Sequence, residues 1–225
     1  MRAHPPLDNP FWSALSTRQA NRGYGGSQAK RYSPEIAPFA AVSEPSIPAE
    51  RELISLVEPG QQIGMLAVAP PFSNAWTIER DTHILQMVCE SSTGNTDVEA
   101  RLLTPMDVSA MIDLTALVYP AYFRRGTSEL GAYFGIFDGD RLCAMAGERV
   151  GMTGYQEISA VCTHPDFTGR GYAFRPINQL IRLISDRGDV PFLHVDIDNV
   201  RAIALYQRLG FEFRWNIPFW VVRRN

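Results

Sequence analysis

The chain reads as a mixed α/β (α+β) protein: a mostly antiparallel central sheet flanked by helices, preceded by an irregular N-terminal α+β lobe. Three observations predict it. Residues 133–150 read as strand, tight turn, strand; from 157 to 215 strand-like runs alternate with helical stripes; and most of the prolines fall in the first 71 residues with no period.

With 225 residues, 45% of them hydrophobic, the chain has enough apolar material for a packed core. A net charge of -3 without a dense Lys/Arg run gives no footprint for nucleic acid or an anionic membrane, so neither is an expected partner. Cys89, Cys143 and Cys162 are odd in number, lack CxxC spacing and sit in apolar runs, which fits a reducing, cytoplasmic setting. Residues 1–9 lack the apolar stretch of a signal peptide, and no run of about 18 apolar residues follows, so a soluble, unexported protein is expected.

In order, residues 48–57 carry a helical stripe of Ala49, Leu53, Ile54 and Val57, and residues 63–68 and 83–89 read as strands. The polar segment 90–97 marks the expected boundary between an N-terminal lobe of unknown role, 1–95, and a second domain, 96–225. Residues 98–104 read as a strand. Thr104-Pro105-Met106-Asp107 then supplies an N-cap, a proline at the first helical position and an acid at the third, and Tyr119-Pro120 closes that helix. Asp138-Gly139-Asp140 joins strands 133–137 and 141–150 as an antiparallel hairpin, followed by a strand at 157–163. Ala173, Ile177, Leu180, Ile181 and Ile184 keep helical spacing to Gly188; a strand fills 192–197; Asp198 or Asn199 caps a last helix that stops at Gly210; strands at 211–215 and 219–222 finish the chain.

The chemistry concentrates between Glu157 and Ala173. A strand running into a glycine turn and a helix gathers backbone N–H groups and the positive helix end at one point, which suits a phosphate or pyrophosphate. A P-loop would need Gly-Lys-Ser/Thr, and Tyr172 and Ala173 follow Gly171 instead. A dinucleotide fingerprint would need a third small residue on a βαβ background, where Phe174 stands on an antiparallel one. A plain tight turn is the structural alternative.

Thr168-Gly-Arg-Gly171-Tyr-Ala173 resembles the pyrophosphate loop of the GNAT superfamily, Gln/Arg-x-x-Gly-x-Gly/Ala, and residues 199–211 resemble its last motif. The resemblance covers about 96–225 and is nearest to the branch holding glycine N-acyltransferase-like proteins. It implies a GNAT-like fold and an acyl-CoA-dependent N-acetyltransferase: acetyl-CoA as co-substrate, a small-molecule or peptide amine as acceptor, no metal. Val161, Cys162 and Thr163 would then meet the pantetheine arm, Thr168, Gly169, Arg170, Gly171, Tyr172, Ala173 and Phe174 the pyrophosphate, in a slot where the strands ending at Thr163 and beginning at Phe192 splay apart. Asn199 would touch the coenzyme or serve as a plain helix cap.

Two departures stand out: Thr168 replaces a longer side chain, and Pro176 falls in the first turns of the helix, where it can delete an internal hydrogen bond.

Acyl transfer to an amine needs an acid for the departing thiolate and a base for the ammonium proton. Tyr206 matches the family's acid, and a phenol with an ordinary pKa of about 10 can donate; a satisfied core tyrosine is the plain alternative. Glu157 and His194 both match base positions in parts of the family. Strand alternation puts Glu157 with Ser159, Val161 and Thr163, and an imidazole's ordinary pKa of about 6.5 suits His194; Glu157 is preferred. His164 reads as a turn residue, and Glu148 and Arg149 as either acceptor-facing or a solvated strand edge. No cysteine has a nucleophile's surroundings. The rival class is a silent acyl-CoA-binding sensor or interaction module. Residues 1–95 are expected to pack on the sheet and shape the acceptor side.

Overall fold

In a computed structural model, which describes residues 3–90, 100–118, 120 and 122–225, the N-terminal part folds into α1 (Pro10–Ser16), a small sheet of β1 (Gly23–Gly25), β2 (Ala29–Tyr32) and β3 (Ala40–Val42), α2 (Ile47–Leu56), and strands β4 (Gln62–Leu66) and β5 (Trp76–Val88). The rest supplies β6 (Arg101–Leu102), α3 (Val108–Val118), β7 (Tyr133–Asp138), β8 (Arg141–Met152), β9 (Tyr155–Thr163), α4 (Phe174–Asp186), β10 (Val190–Asp196), α5 (Val200–Arg208) and β11 (Glu212–Arg224).

The caps explain the helix starts. Ser46 accepts from the Ala49 N–H at 3.3 Å ahead of α2. Thr104 and Asp107 form a reciprocal capping box, but its residues 105–107 make a 3-10 turn before α3 proper. Pro176 is the third residue of α4, where the N–H has no intrahelical acceptor, so its missing donor is one of those left unpaired and no internal hydrogen bond is lost.

The main sheet runs β4-β11-β5-β10-β9-β8-β7-β6. Among the described residues β9–β10 is its one parallel pair. One face carries α4 and α5 on a core of Ile158, Ile177, Leu180, Leu193 and Tyr206. The other face carries α3 over Met145 and Cys162, and α1 with Phe11 and Phe39 over Phe192 and Ile217.

The expected boundary at 90–97 lies, from 91 on, outside the described residues, as do residues 98 and 99 of the expected strand, of which Arg101–Leu102 is seen. The sheet itself is not divided there: β5 inserts between β10 and β11, and β4 pairs with β11. The two strands expected at 211–222 are one, β11, with a bulge at Arg214. Pro218 interrupts it little. Its carbonyl accepts from Ala67 N–H at 2.9 Å, so its missing N–H points to the same side, beyond the end of β4.

Candidate active site

Strands β9 and β10 pair only from Val190↔Tyr155 to Phe192↔Glu157, and then part. Beyond that point β9 keeps its ladder with β8 but carries one extra residue between Ser159 and Cys162, and Ala160 takes φ +50°. The bulge corrects the expected alternation. Ala160 and Cys162 pack toward α3 and Val161 toward α4 and α5, so Glu157 and Val161 lie on opposite faces.

A cavity of about 260 Å³ opens through this gap. Ser159, Ala160 and Val161 line it on one side, and Val195, Asn199 and Tyr206 on the other. Tyr206 is 6% exposed and packs edge-on against Phe211, with ring centroids 6.0 Å apart. Asn199 accepts from Ala202 N–H at 3.1 Å, so it caps α5 and also faces the cavity. Cys162 is buried, and desolvation pushes its thiol up to about 12, which leaves no thiolate for nucleophilic attack at neutral pH.

The Arg201 side chain reaches from the start of α5 to the glycine turn: a Cβ at Gly169 would lie 3.8 Å from its Nη2. Gly169 and Gly171 have φ of +81° and +73°, a left-handed backbone that L side chains adopt at a cost. No atom of the described residues stands within 4 Å of where a Gly171 side chain would begin, which leaves the backbone open to a ligand. Arg170 lies over Phe167 at 4.8 Å, Tyr172 stacks on the same ring at 6.1 Å, and Arg175 sits near Tyr172. The Thr168 hydroxyl donates to Pro165 O at 3.1 Å, a local turn contact. These cations, the left-handed glycines and the N-terminus of α4, between Ala173 and Phe174, fit a diphosphate. Thr163 ends β9 on the way into this turn. His164 accepts from Asp166 N–H at 3.2 Å, the turn role expected of it.

Behind the cavity wall lies a buried polar network. The Arg149 guanidinium gives Nε and Nη2 to Glu157 at 2.8 and 2.7 Å, and Val150 N–H adds a third donor at 3.3 Å. His194 Nδ1 lies 2.7 Å from Glu157 Oε1. Burial alone would raise the Glu157 pKa, but Arg149, then His194, pull it down to about 2. A carboxylate that is fully buried, fully engaged and so weakly basic is a poor acceptor for a substrate proton, contrary to the role preferred for it from sequence.

The tautomer of His194 follows from its other neighbour. Arg214, aimed inward by the β11 bulge, donates Nη1 to Gln86 Oε1 at 2.6 Å, so the Gln86 amide nitrogen must face Leu7 O and His194 Nε2, each at 3.1 Å. His194 Nε2 therefore accepts, and Nδ1–H donates to Glu157. The ring is 3% exposed and lines the cavity. Arg149 lines it too, while Glu148 points to the opposite face, where it accepts from Ala132 N–H at 2.7 Å and pairs with Arg187. Neither is a solvated edge.

Gln86, Arg214 and the pairing of Arg149 were not anticipated from sequence. The signal was polar residues inside apolar strand runs, which burial obliges to find partners.

The slot left by the β9 bulge, the glycine turn and the capped start of α5 make up the candidate site, and comparison with known proteins gives the family of the fold. The model of the FR47-like protein family matches residues 133–221. The N-alpha-acetyltransferase RimI of Mycobacterium tuberculosis is 32% identical over 121 residues, which cover 49% of this chain and 75% of that protein. A solved structure from Novosphingobium aromaticivorans, assigned to the GNAT family as an acetyltransferase, superposes with a TM-score of 0.91 at 33% identity over 99% of this chain and 100% of that one. A GCN5-related N-acetyltransferase from Kribbella flavida shares the fold alone, with a TM-score of 0.62 at 13% identity over 95% and 91% of the two chains. The chain belongs to the GNAT family of acetyltransferases. No described helix is long and apolar enough to cross a membrane, and no group of three or more His, Cys, Asp or Glu among the described residues is placed to hold a metal ion.

Proposed function

We propose that this protein transfers an acetyl group from acetyl-CoA to a primary amine of a small molecule or peptide, by direct attack and without a covalent enzyme intermediate. The observation that carries the reading is the cavity through the β9–β10 gap, with bulged backbone on one wall and Tyr206 on the other. When bound, the coenzyme supplies the thioester. Gly169, Arg170, Gly171, Tyr172, Ala173 and Phe174, with Thr168 shaping the turn, would hold its diphosphate; Val161, Cys162 and Thr163 would pair with the pantetheine arm; and Asn199 would border it. Backbone N–H groups of the bulge would meet the thioester carbonyl as charge develops on its oxygen. Tyr206 would donate its proton to the departing sulfur.

The proton lost by the amine takes a different route from the one sequence suggested. The charged groups in the wall among the described residues are Arg80, Arg149 and Asp196, and Arg80 and Asp196 pair at 3.3 Å. An apolar chamber with no unpaired carboxylate among its described residues disfavours an ammonium ion. The acceptor thus enters as the free amine and leaves its proton to solvent near Asp196. Glu157 and His194 hold the wall in shape. Membership of the branch with glycine N-acyltransferase-like proteins rests on sequence resemblance over 96–225 alone.

Thiol release from acetyl-CoA in the presence of an amine panel tests the reading. Turnover that collapses in Tyr206→Phe is expected. Tight coenzyme binding with no turnover on any amine would instead support a silent sensor. A His194→Gln variant that loses kcat by orders of magnitude while retaining coenzyme affinity and stability would restore His194 as the base.

A further inference from the structure

The acceptor side of the cavity has a definite chemistry. Phe11 and Phe39 meet with centroids 4.8 Å apart, Tyr122 stacks on Phe39 at 6.1 Å with planes 14° apart, and Phe123 stands edge-on to Tyr133 at 5.7 Å; all five rings line the cavity. Ring walls of this kind favour an apolar, flat-sided body over an extended polar chain.

Among these rings lies a charged donor with N–H groups to spare. Arg149 sits over Phe39 with its guanidinium carbon 5.0 Å from the ring centroid. Its Nε and Nη2 are committed to Glu157, whereas Nη1 has no hydrogen-bond partner among the described residues. Burial alone would lower the guanidinium's pKa, but Glu157 raises it, so Arg149 stays charged and its spare N–H groups remain donors. A donor in an apolar wall selects for an acceptor oxygen, because a ligand without one leaves it unpaired. Among the described residues the wall's one carboxylate, Asp196, is paired with Arg80, which leaves no free counterpart for an ammonium group.

We infer that the acceptor is a primary amine on an apolar, ring-sized body with a carboxylate or amide carbonyl close to the nitrogen, the ring lodged against Phe39 and Tyr122 and the oxygen held by Arg149 Nη1. The inference rests on the transferase reading above and narrows its substrate. The cavity of about 260 Å³ also takes the thioester end of the coenzyme, which leaves room for one small acceptor.

The test compares kcat/KM for acetyl-CoA-dependent acetylation of L-phenylalanine, phenylalaninamide, phenethylamine, glycine and spermidine. Expected is a preference of tenfold or more for phenylalanine and its amide over phenethylamine, which lacks the oxygen, and over glycine, which lacks the body, with spermidine the poorest. Arg149→Lys retains a cation for Glu157 but lacks the spare nitrogen, so the ratio between phenylalanine and phenethylamine should fall to about one. If that variant fails to fold, Tyr122→Leu should raise KM about tenfold for phenylalanine relative to glycine while the coenzyme dissociation constant holds. Equal kcat/KM with and without the oxygen, a best rate on spermidine or glycine, or no turnover on this panel despite coenzyme binding overturns the inference. Absence of any coenzyme binding overturns the transferase reading itself.

Discussion

Gln86 and His194 stand directly opposite each other across β5 and β10, and the amide nitrogen of one lies 3.1 Å from Nε2 of the other. Because Arg214 fixes the amide's orientation, the histidine's lone pair is engaged from within the sheet. Substituting Gln86→Leu should free that lone pair and strand Arg214. Nitrogen NMR of the imidazole should show one tautomer in the wild type, with the proton on Nδ1, and the variant should lose about 1–3 kcal/mol of stability in urea unfolding.

Glu157 makes a sharp pH prediction. Its folded pKa, about 2, lies below the ordinary 4.5, so the stability it contributes is present above about pH 4.5 and drains away as pH falls toward 2. Glu157→Gln should cost roughly 3 kcal/mol or more at pH 7 by leaving Arg149 buried and unpaired. Its stability should also change less than the wild type's between pH 5 and pH 3, as read from urea midpoints.

Tyr206→Phe should lower kcat about a hundredfold at saturating acceptor, the usual scale for a lost general acid. Calorimetry should show coenzyme affinity unchanged within twofold. A comparable fall in affinity would mean that the hydroxyl serves binding.

Gly171→Ala isolates the turn. No atom of the described residues within 4 Å opposes the added methyl, so what changes is a φ of +73° and the approach of the proposed diphosphate. Coenzyme affinity should drop tenfold or more, while the melting temperature shifts by a few degrees at most, as expected of an exposed turn carrying about 1–2 kcal/mol of strain.

Cys162 should resist iodoacetamide at pH 8 in the native protein and react once it is unfolded, because burial holds its thiol up near 12. Fast native labelling that abolishes activity would reopen a covalent route.

Much of this was legible in the chain. Helix stripes, caps and the Asp138-Gly139 turn gave the elements, since those signals are local. Resemblance leads to the expectation of a splay between the strands ending at Thr163 and beginning at Phe192, and the point where their pairing stops, Phe192↔Glu157, comes from the structure. What local reasoning misses is set by partners far along the chain. The bulge at Ala160 reverses the faces of Val161 and Cys162 with no glycine to announce it. Arg149, Gln86 and Arg214 acquire meaning only when β5, β8, β9, β10 and β11 come together. The last strand reads as two because nothing in the sequence says that Pro218 faces a position beyond the end of its neighbour β4.

The threading of β5 between β10 and β11 bears on how the gene can be cut. A fragment starting at residue 96 would carry both signature motifs, yet it would lack β5, the strand that joins β10 to β11. Two long rows of backbone amides and carbonyls would stand bare on facing strands, inviting other chains to fill the vacancy. Such a fragment is expected to clump when expressed alone, and adding residues 1–90 as a separate chain should rescue it.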